Sequence, residues 1–288
     1  MAAASTTWQC CDGTIDLRRP VLVGILNVTP DSFSDGGKYI DAAAAVSRGR
    51  DLVEEGAAII DIGGESTRPG ASRVSEQEQI NRVLPVIRGL RGTVPLSIDT
   101  TRVEVAEAAV EAGVSIVNDV SAGTEDGDML PFVADRRAGM VLMHRVAAPP
   151  DDQFSTDYAE EPQCAGDDIV QTVQRFLEGR VAAAVEAGMS RECIAIDPGL
   201  GFGKSVRQNW ELMRRMEEFV GVGLPVWGGA SRKSFLGAVA GIADAEERDG
   251  VSAAAAAMMM LGGVQLFRVH DVRRHHHLIE LLDVAAAL

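Results

Sequence analysis

The stretch AIIDIGGESTRPG, Ala58–Gly70, carries the pattern that decides the fold: a short apolar run, bearing an aspartate near its end, opens directly into a Gly/Pro-rich loop. A short, nearly continuous apolar run bounded by turn residues suits a strand covered on both faces. Comparable runs recur at Val21–Leu26, Val94–Ile98, Ser115–Val117, Met140–Met143, Cys193–Ile196, Leu224–Trp227 and Val264–Val269. Their starts lie about 35 residues apart on average, enough for a strand, a helix and two connections. At or near the ends of the eight runs stand Asn27, Asp61, Asp99, Asn118, His144, Asp197, Ser231 and Arg268. When parallel strands close into a barrel, the connections that follow them share one face, so residues distant in sequence converge there. The expected fold is therefore α/β: a single-domain TIM (β/α)8 barrel over residues 21–288, preceded by an N-terminal extension over residues 1–20. An open doubly wound sheet uses the same alternation. It is disfavoured because no GxGxxG follows the first run and ligand-type residues occur at all eight ends.

The intervening segments read as helices. Asp41 is the expected N-cap of the Ala-rich segment that ends at Gly56, and Ser75-Glu76-Gln77-Glu78 has capping-box spacing before a helix reaching about Leu90. Gly113 and Gly188 each close a helical pattern, where a left-handed residue is common. Arg145 to Gly166 is long, acidic and interrupted by Pro149-Pro150, and is expected to be a mobile excursion before a helix over Asp167–Ala187.

Composition narrows the function classes. Lys plus Arg number 27 against 42 Asp plus Glu, a net charge of −15 that repels nucleic acid and anionic membranes. The four cysteines show no CxxC spacing, no stretch is long and apolar enough to span a bilayer, and the N-terminus lacks a signal-peptide pattern. A cytoplasmic protein acting on small molecules is expected. In so acidic a chain, Ser231-Arg232-Lys233 and Arg268-Val269-His270 form a directed cationic cluster after the seventh and eighth strands, suited to a diphosphate. The alternative is pairing of Arg232 and Arg268 with mouth carboxylates such as Asp271. Asp99, Asn118 and Asp197 are costly to bury unless they accept hydrogen bonds, which a flat heterocycle with amino and ring N–H groups would donate. A structural ion-pair network with Lys233 or Arg102 is the competing account of these ends. No HxH or HExxH supports a metal cluster, and His275–His277 fall in a late helix where solvated side chains are expected. With no Ser-His-Asp or Cys-His arrangement, the site suits orientation and neutralisation of a good leaving group rather than hydrolysis.

Eight segments in order, GILNVTPDSFSDGGKY (Gly24–Tyr39), DIGGESTRPGA (Asp61–Ala71), SIDTTR (Ser97–Arg102), NDVSAG (Asn118–Gly123), VLMH (Val141–His144), DPGLGFGKS (Asp197–Ser205), ASRKSFLG (Ala230–Gly237) and FRVHD (Phe267–Asp271), resemble the dihydropteroate synthase family. The resemblance implies condensation of 6-hydroxymethyl-7,8-dihydropterin diphosphate with 4-aminobenzoate in folate biosynthesis, with Mg²⁺ as cofactor, a homodimer and a sulfonamide target. It implies that Asp99, Asn118, Asp197 and Lys233 grip the pterin while Met143 lines its pocket. Asn27, Arg268 and His270 would hold diphosphate, Asn27 also the Mg²⁺, with Arg68 closing over them; Lys233, Asn27, Arg268 and His270 would form the catalytic set. Phe33, Thr67, Pro69, Phe202 and Ser234 would make the aminobenzoate pocket. Two alternatives share parts of this pattern: a non-catalytic pterin- or diphosphate-binding paralogue, and a pterin-dependent methyltransferase barrel. The chain departs from the family after His144, where RVAAPPDDQF replaces a Met/Gly-containing stretch.

Overall fold

The computed structural model describes residues 5–11, 13–29, 42–162 and 168–287. Phe33, the loop over residues 31–38 and the expected cap Asp41 lie outside the described residues. A hairpin of β1 (Thr7–Cys10) and β2 (Gly13–Asp16) precedes eight parallel strands: β3 (Val21–Asn27), β4 (Ile59–Gly63), β5 (Leu96–Asp99), β6 (Ile116–Asp119), β7 (Gly139–Met143), β8 (Ile194–Asp197), β9 (Trp227–Gly228) and β10 (Leu266–Val269). Their order runs β8-β7-β6-β5-β4-β3-β10-β9. A parallel bridge between Ile196 and Val226 closes the barrel. All eight strands coincide with or overlap the apolar runs.

Alternation along the strands sorts the residues into layers, because successive side chains point to opposite faces. Leu22, Ile60, Ile62, Leu96, Ile98, Val117, Leu142, Ile194, Ile196 and Phe267 face the helices and join one large apolar core. The intervening residues face the barrel axis. Val21, Val23, Ile59, Ile116, Val141, Ala195, Trp227 and Leu266 form an inner apolar layer. One step of two residues further along each strand, the inward positions become Asp61, Asn118, Met143, Asp197 and Arg268. Register sets Asn27 opposite Gly63, Gly63 opposite Asp99, and Asp99 opposite Asn118, so one rim carries the polar ends.

The helices start and stop much as expected. Ser75 caps the helix Glu76–Leu90, its Oγ accepting from Glu78 N at 3.3 Å, and Asp168 caps Ile169–Glu186 through Val170 N and Gln171 N. Gly113 and Gly188 adopt φ of 115° and 102°, the left-handed region that favours glycine. Two expectations are corrected. His275 is buried at 1% exposure with Nδ1 2.7 Å from Asp271 O, because its face of the last helix packs inward; His276 and His277 remain exposed. The described part of the fifth connection is also not a detached excursion: Pro149, Asp152 and Ser155 are buried.

The N-terminal hairpin plugs the barrel end opposite the polar rim. Trp8 is fully buried within the inner apolar layer, meets Trp227 edge-on at 6.0 Å between ring centroids, and donates from its indole nitrogen to Cys193 O at 2.9 Å. Gly139 makes room for it, since a Cβ there would lie 3.2 Å from Trp8 Cζ2. Replacing Trp8 by alanine is expected to lower unfolding free energy by about 3–5 kcal/mol in a urea titration, whereas a loss under about 1 kcal/mol would show that the barrel closes without its plug.

Candidate active site

Three charges meet at the centre of the rim. Arg268 donates from Nε to Asp61 Oδ2 at 2.6 Å and from Nη2 to Asp99 Oδ2 at 2.8 Å, while Asn118 Nδ2 donates to Asp61 Oδ2 at 3.1 Å. The carboxylate alternative raised for Arg268 is thus realised, with Asp61 and Asp99 in place of Asp271. Only part of the guanidinium is used, since Arg carries five N–H donors. Burial pushes the Asp99 carboxyl up to about 7, and the Arg268 charge offsets only part of that rise. Asp99 Oδ1 is buried with no hydrogen-bond partner among the described residues. An orphaned buried acceptor calls for a donor from outside the chain.

Around this triad lie an acceptor wall and an apolar platform. Asp197 is buried and accepts from Gly199 N at 2.7 Å; burial pushes its carboxyl up to about 6. Val120, Met143 and Phe202 form a separate small apolar cluster at the mouth. Lys233 Nζ lies 3.8 Å from the Phe202 ring centroid, within cation–π range, and burial pulls its ammonium down to about 8. Flat apolar contact bounded by buried acceptors is a recognition surface for a planar heterocycle.

The ends of the seventh and eighth strands add a second polar group. Ser231 Oγ lies 2.9 Å from His270 Nδ1 and also accepts from His270 N at 3.2 Å. With its oxygen accepting there, the hydroxyl can donate to Nδ1, leaving Nε2–H to face a ligand. Burial holds the imidazole well below its usual range, reinforced by Arg232, Arg268, Arg68 and Lys233, so His270 is a neutral donor at pH 7. Arg232 itself is corrected: both arms of its fork are held by Asp249, at 2.7 and 2.8 Å, so it contributes field rather than a contact.

The second, fifth, sixth and seventh connections frame the entrance. Thr67 and Pro69 are half-buried and Arg68 is exposed on a loop held by Arg82 Nη1 to Gly64 O at 3.0 Å and by Gly70 N to Pro149 O at 2.7 Å. Ser234 Oγ accepts from Ser155 N at 3.2 Å, and Asp152 Oδ2 accepts from Gly203 N at 3.1 Å, docking the fifth connection on the seventh and sixth. His144 does not join the site: its ring packs edge-on against Phe176 at 5.0 Å, and burial pulls it down to about 2. Three groups were not anticipated. Lys204 and Asp152 are buried, and Glu125 binds Arg73 and Arg145, which hold its carboxyl down at about 2 against the opposing effect of burial. Placement beside Gly-rich or acidic text was their only signal. An apolar hollow of about 520 Å³ between the helix Ile169–Glu186 and Phe219–Val222 holds none of this chemistry.

A sequence profile described as pterin binding enzyme matches residues 23–270. The dihydropteroate synthase of Streptococcus pyogenes serotype M3 (strain ATCC BAA-595 / MGAS315) is 43% identical over 265 residues, which cover 91% of this chain and 94% of that protein. Among solved structures, Xanthomonas albilineans dihydropteroate synthase with 4-aminobenzoic acid superposes with a TM-score of 0.89 at 41% identity, covering 99% of each chain. The same enzyme in complex with 7,8-dihydropteroate gives a TM-score of 0.85 at 38% identity, covering 98% of this chain and 99% of that one.

The central triad makes a stability prediction. Arg268→Met leaves two buried carboxyls without their cation and is expected to cost about 3–5 kcal/mol at pH 7 in a denaturant titration. Asp99, raised further, then binds a proton in the native state that the unfolded chain has released, so the deficit shrinks as pH falls from 8 to 5. Adding Asp61→Asn and Asp99→Asn should recover most of the loss. A deficit that is independent of pH would contradict the pairing.

Proposed function

This chain belongs to the pterin-binding enzyme family, among the dihydropteroate synthases, and from that premise we propose that its barrel mouth condenses 6-hydroxymethyl-7,8-dihydropterin diphosphate with 4-aminobenzoate by dissociative substitution. The observation that carries the proposal is the juxtaposition of buried acceptors, Asp197 and the unpartnered Asp99 Oδ1, with the donors Arg268, His270 and Lys233 in one mouth. Asp99, Asn118 and Asp197 accept from or donate to the pterin edge over Met143, and Lys233 closes that pocket. Arg268, neutral His270 and Asn27 meet the diphosphate, with Arg68 covering it.

The carbon–oxygen bond between pterin methylene and diphosphate breaks first, and its electron pair leaves on oxygen. Arg268 and the His270 N–H stabilise that developing anion with donors already in place. Positive charge left on the methylene spreads into the pterin ring, which Asp99 and Asp197 stabilise electrostatically. The neutral arylamine then forms the new carbon–nitrogen bond and releases a proton to water. No strong base is needed at any step. Thr67, Pro69, Phe202 and Ser234 orient the aminobenzoate, with Phe33 assigned to the same pocket from the sequence; a sulfonamide would occupy the same position.

Magnesium fits this donor set. Asn27 offers a neutral amide oxygen at the rim, and no group of three or more His, Cys, Asp or Glu side chains among the described residues could hold a metal alone. Mg²⁺ commonly takes few protein ligands and keeps waters and substrate phosphates. Bound beside Asn27, it would neutralise diphosphate charge. A cytoplasmic location, which reduced cysteine thiols would suit, and a homodimer through the helix Asp249–Leu261, whose Met258 and Leu261 are 47% and 79% exposed, complete the proposal.

Three measurements test the assignment. Wild-type protein with both substrates and Mg²⁺ should form dihydropteroate and diphosphate in equal amounts, and Asp197→Ala should weaken pterin binding about 100-fold by calorimetry, the equivalent of ~3 kcal/mol for lost charged hydrogen bonds. Unchanged pterin affinity in that variant would refute the site. Affinity for pterin diphosphate should also be bell-shaped in pH. It falls as pH drops through about 6, where Asp197 takes a proton, and again as pH rises through about 8, where Lys233 loses one. A profile flat from pH 5 to 9 would exclude both groups.

A further inference from the structure

Lys204 is the largest anomaly outside the assigned site: a lysine with no exposed surface, within the glycine-rich sixth connection. Lysines are almost never fully buried without partners, because removing an ammonium from water is costly. Here the three N–H donors of Nζ have three backbone carbonyls within reach, Gly199 O at 2.7 Å, Phe202 O at 2.9 Å and His144 O at 3.2 Å. Two belong to the sixth connection and one to the fifth.

Each carbonyl is one step from a group assigned to substrate. Gly199, whose carbonyl Lys204 holds, donates from its own N–H to Asp197 Oδ1 at 2.7 Å. Phe202, held the same way, presents the ring on which Lys233 sits. His144 donates from N to Asp197 O at 3.0 Å, so both neighbours of the aspartate are tied to the same ammonium. The two connections meet so closely that a Cβ on Gly199, at φ 69°, would lie 1.9 Å from His144 O. Asn209 braces the loop from behind, accepting from Gly201 N at 2.7 Å and donating to Lys204 O at 3.1 Å.

We propose that Lys204 is a positioning residue: from behind the sixth connection, its ammonium fixes Asp197 for the pterin and Phe202 for the aminobenzoate, coupling the two substrate pockets through one buried charge. This rests on the pterin and aminobenzoate assignments above. Lys204, Lys233 and Arg268 are the leading charges acting on Asp197, all cations that favour its carboxylate. Among them Lys204 acts from the face away from substrate. The neutral His144 ring also feels its charge.

The test is Lys204→Met, followed by calorimetry with pterin diphosphate from pH 5 to 9 and by steady-state kinetics in aminobenzoate. Loss of the ammonium should move the acid limb of pterin affinity upward by about one pH unit, so that binding weakens about twofold at pH 7 and about tenfold at pH 5, and should raise KM for aminobenzoate. A variant that is less heat-stable but keeps its acid limb and both affinities would overturn the proposal, leaving Lys204 as a loop brace. Asp197→Ala run in parallel separates the cases: if that variant still binds pterin, the underlying site assignment fails, and if it alone loses binding, only the role of Lys204 fails. Should Lys204→Met not fold, the wild-type enzyme still decides. The chain has only three lysines, Lys38, Lys204 and Lys233, so ¹⁵N-lysine labelling yields three ammonium signals, assignable with Lys233→Met and Lys38→Arg. The Lys204 signal should exchange slowly and shift on adding pterin diphosphate; one that exchanges freely and ignores the ligand would overturn the proposal.

Discussion

The Arg268 guanidinium, held between Asp61 and Asp99, is the interaction on which the mouth of the barrel depends. Asp61 has no exposed surface, so its charge is tolerable only because a cation and the Asn118 amide compensate it. Strand β10 must deliver Arg268, strands β4 and β5 the carboxylates, and strand β6 the amide, and all four come into reach only when the barrel closes. The same contact sets what remains available. Arg268 keeps free N–H donors toward one side and Asp99 keeps an unpartnered oxygen, so the triad is both a structural lock and half of a binding surface.

Alternation with a period of two explains why the fold was largely legible from sequence. On strand β8, Ala195 faces the apolar inner layer and Asp197 the rim, whereas Ile194 and Ile196 face the helices. Strands β4, β6 and β10 repeat the scheme, and an apolar run carrying a polar residue near its end is its linear trace. The hairpin at Thr7–Asp16 leaves no comparable trace, since its buried contribution is concentrated in Trp8 and partners such as Cys193 and Trp227 lie far along the chain. His275 departs from the solvated reading for a related reason: three consecutive histidines look alike in sequence, but only one of them faces the core on a helix.

Within the site, identity was more legible than pairing. Asp99, Asn118, Asp197, Lys233, Arg268 and His270 do converge, but which cation serves which carboxylate depends on reach. Arg232 turns to Asp249 on the neighbouring helix, and Arg268 turns inward. The groups that brace the loops were the least legible. Lys204 and Asp152 belong to residue types that usually face water, and each is buried because groups of its own connection and of a neighbouring one surround it together. Such partners are set by tertiary geometry, and no local spacing encodes them.

Charge distribution then accounts for the kind of chemistry available. The chain carries a net −15, yet burial, reinforced by Arg232, Arg268, Arg68 and Lys233, depresses His270 so far that it cannot serve as a cation at neutral pH. A histidine kept neutral by its neighbours donates one N–H without competing for protons, which suits an oxyanion already carried by the substrate. A protonated histidine beside those cations would add repulsion at the centre of the wall. Asp197, pushed up to about 6, remains ionised at neutral pH, and so stabilises positive charge on a bound heterocycle rather than removing a proton from it. Asp197 and the orphaned Asp99 oxygen therefore share one mouth with Arg268, Lys233 and a neutral histidine, with no strong base among them, an arrangement that favours pulling a diphosphate away from a cation-stabilising ring over activating water.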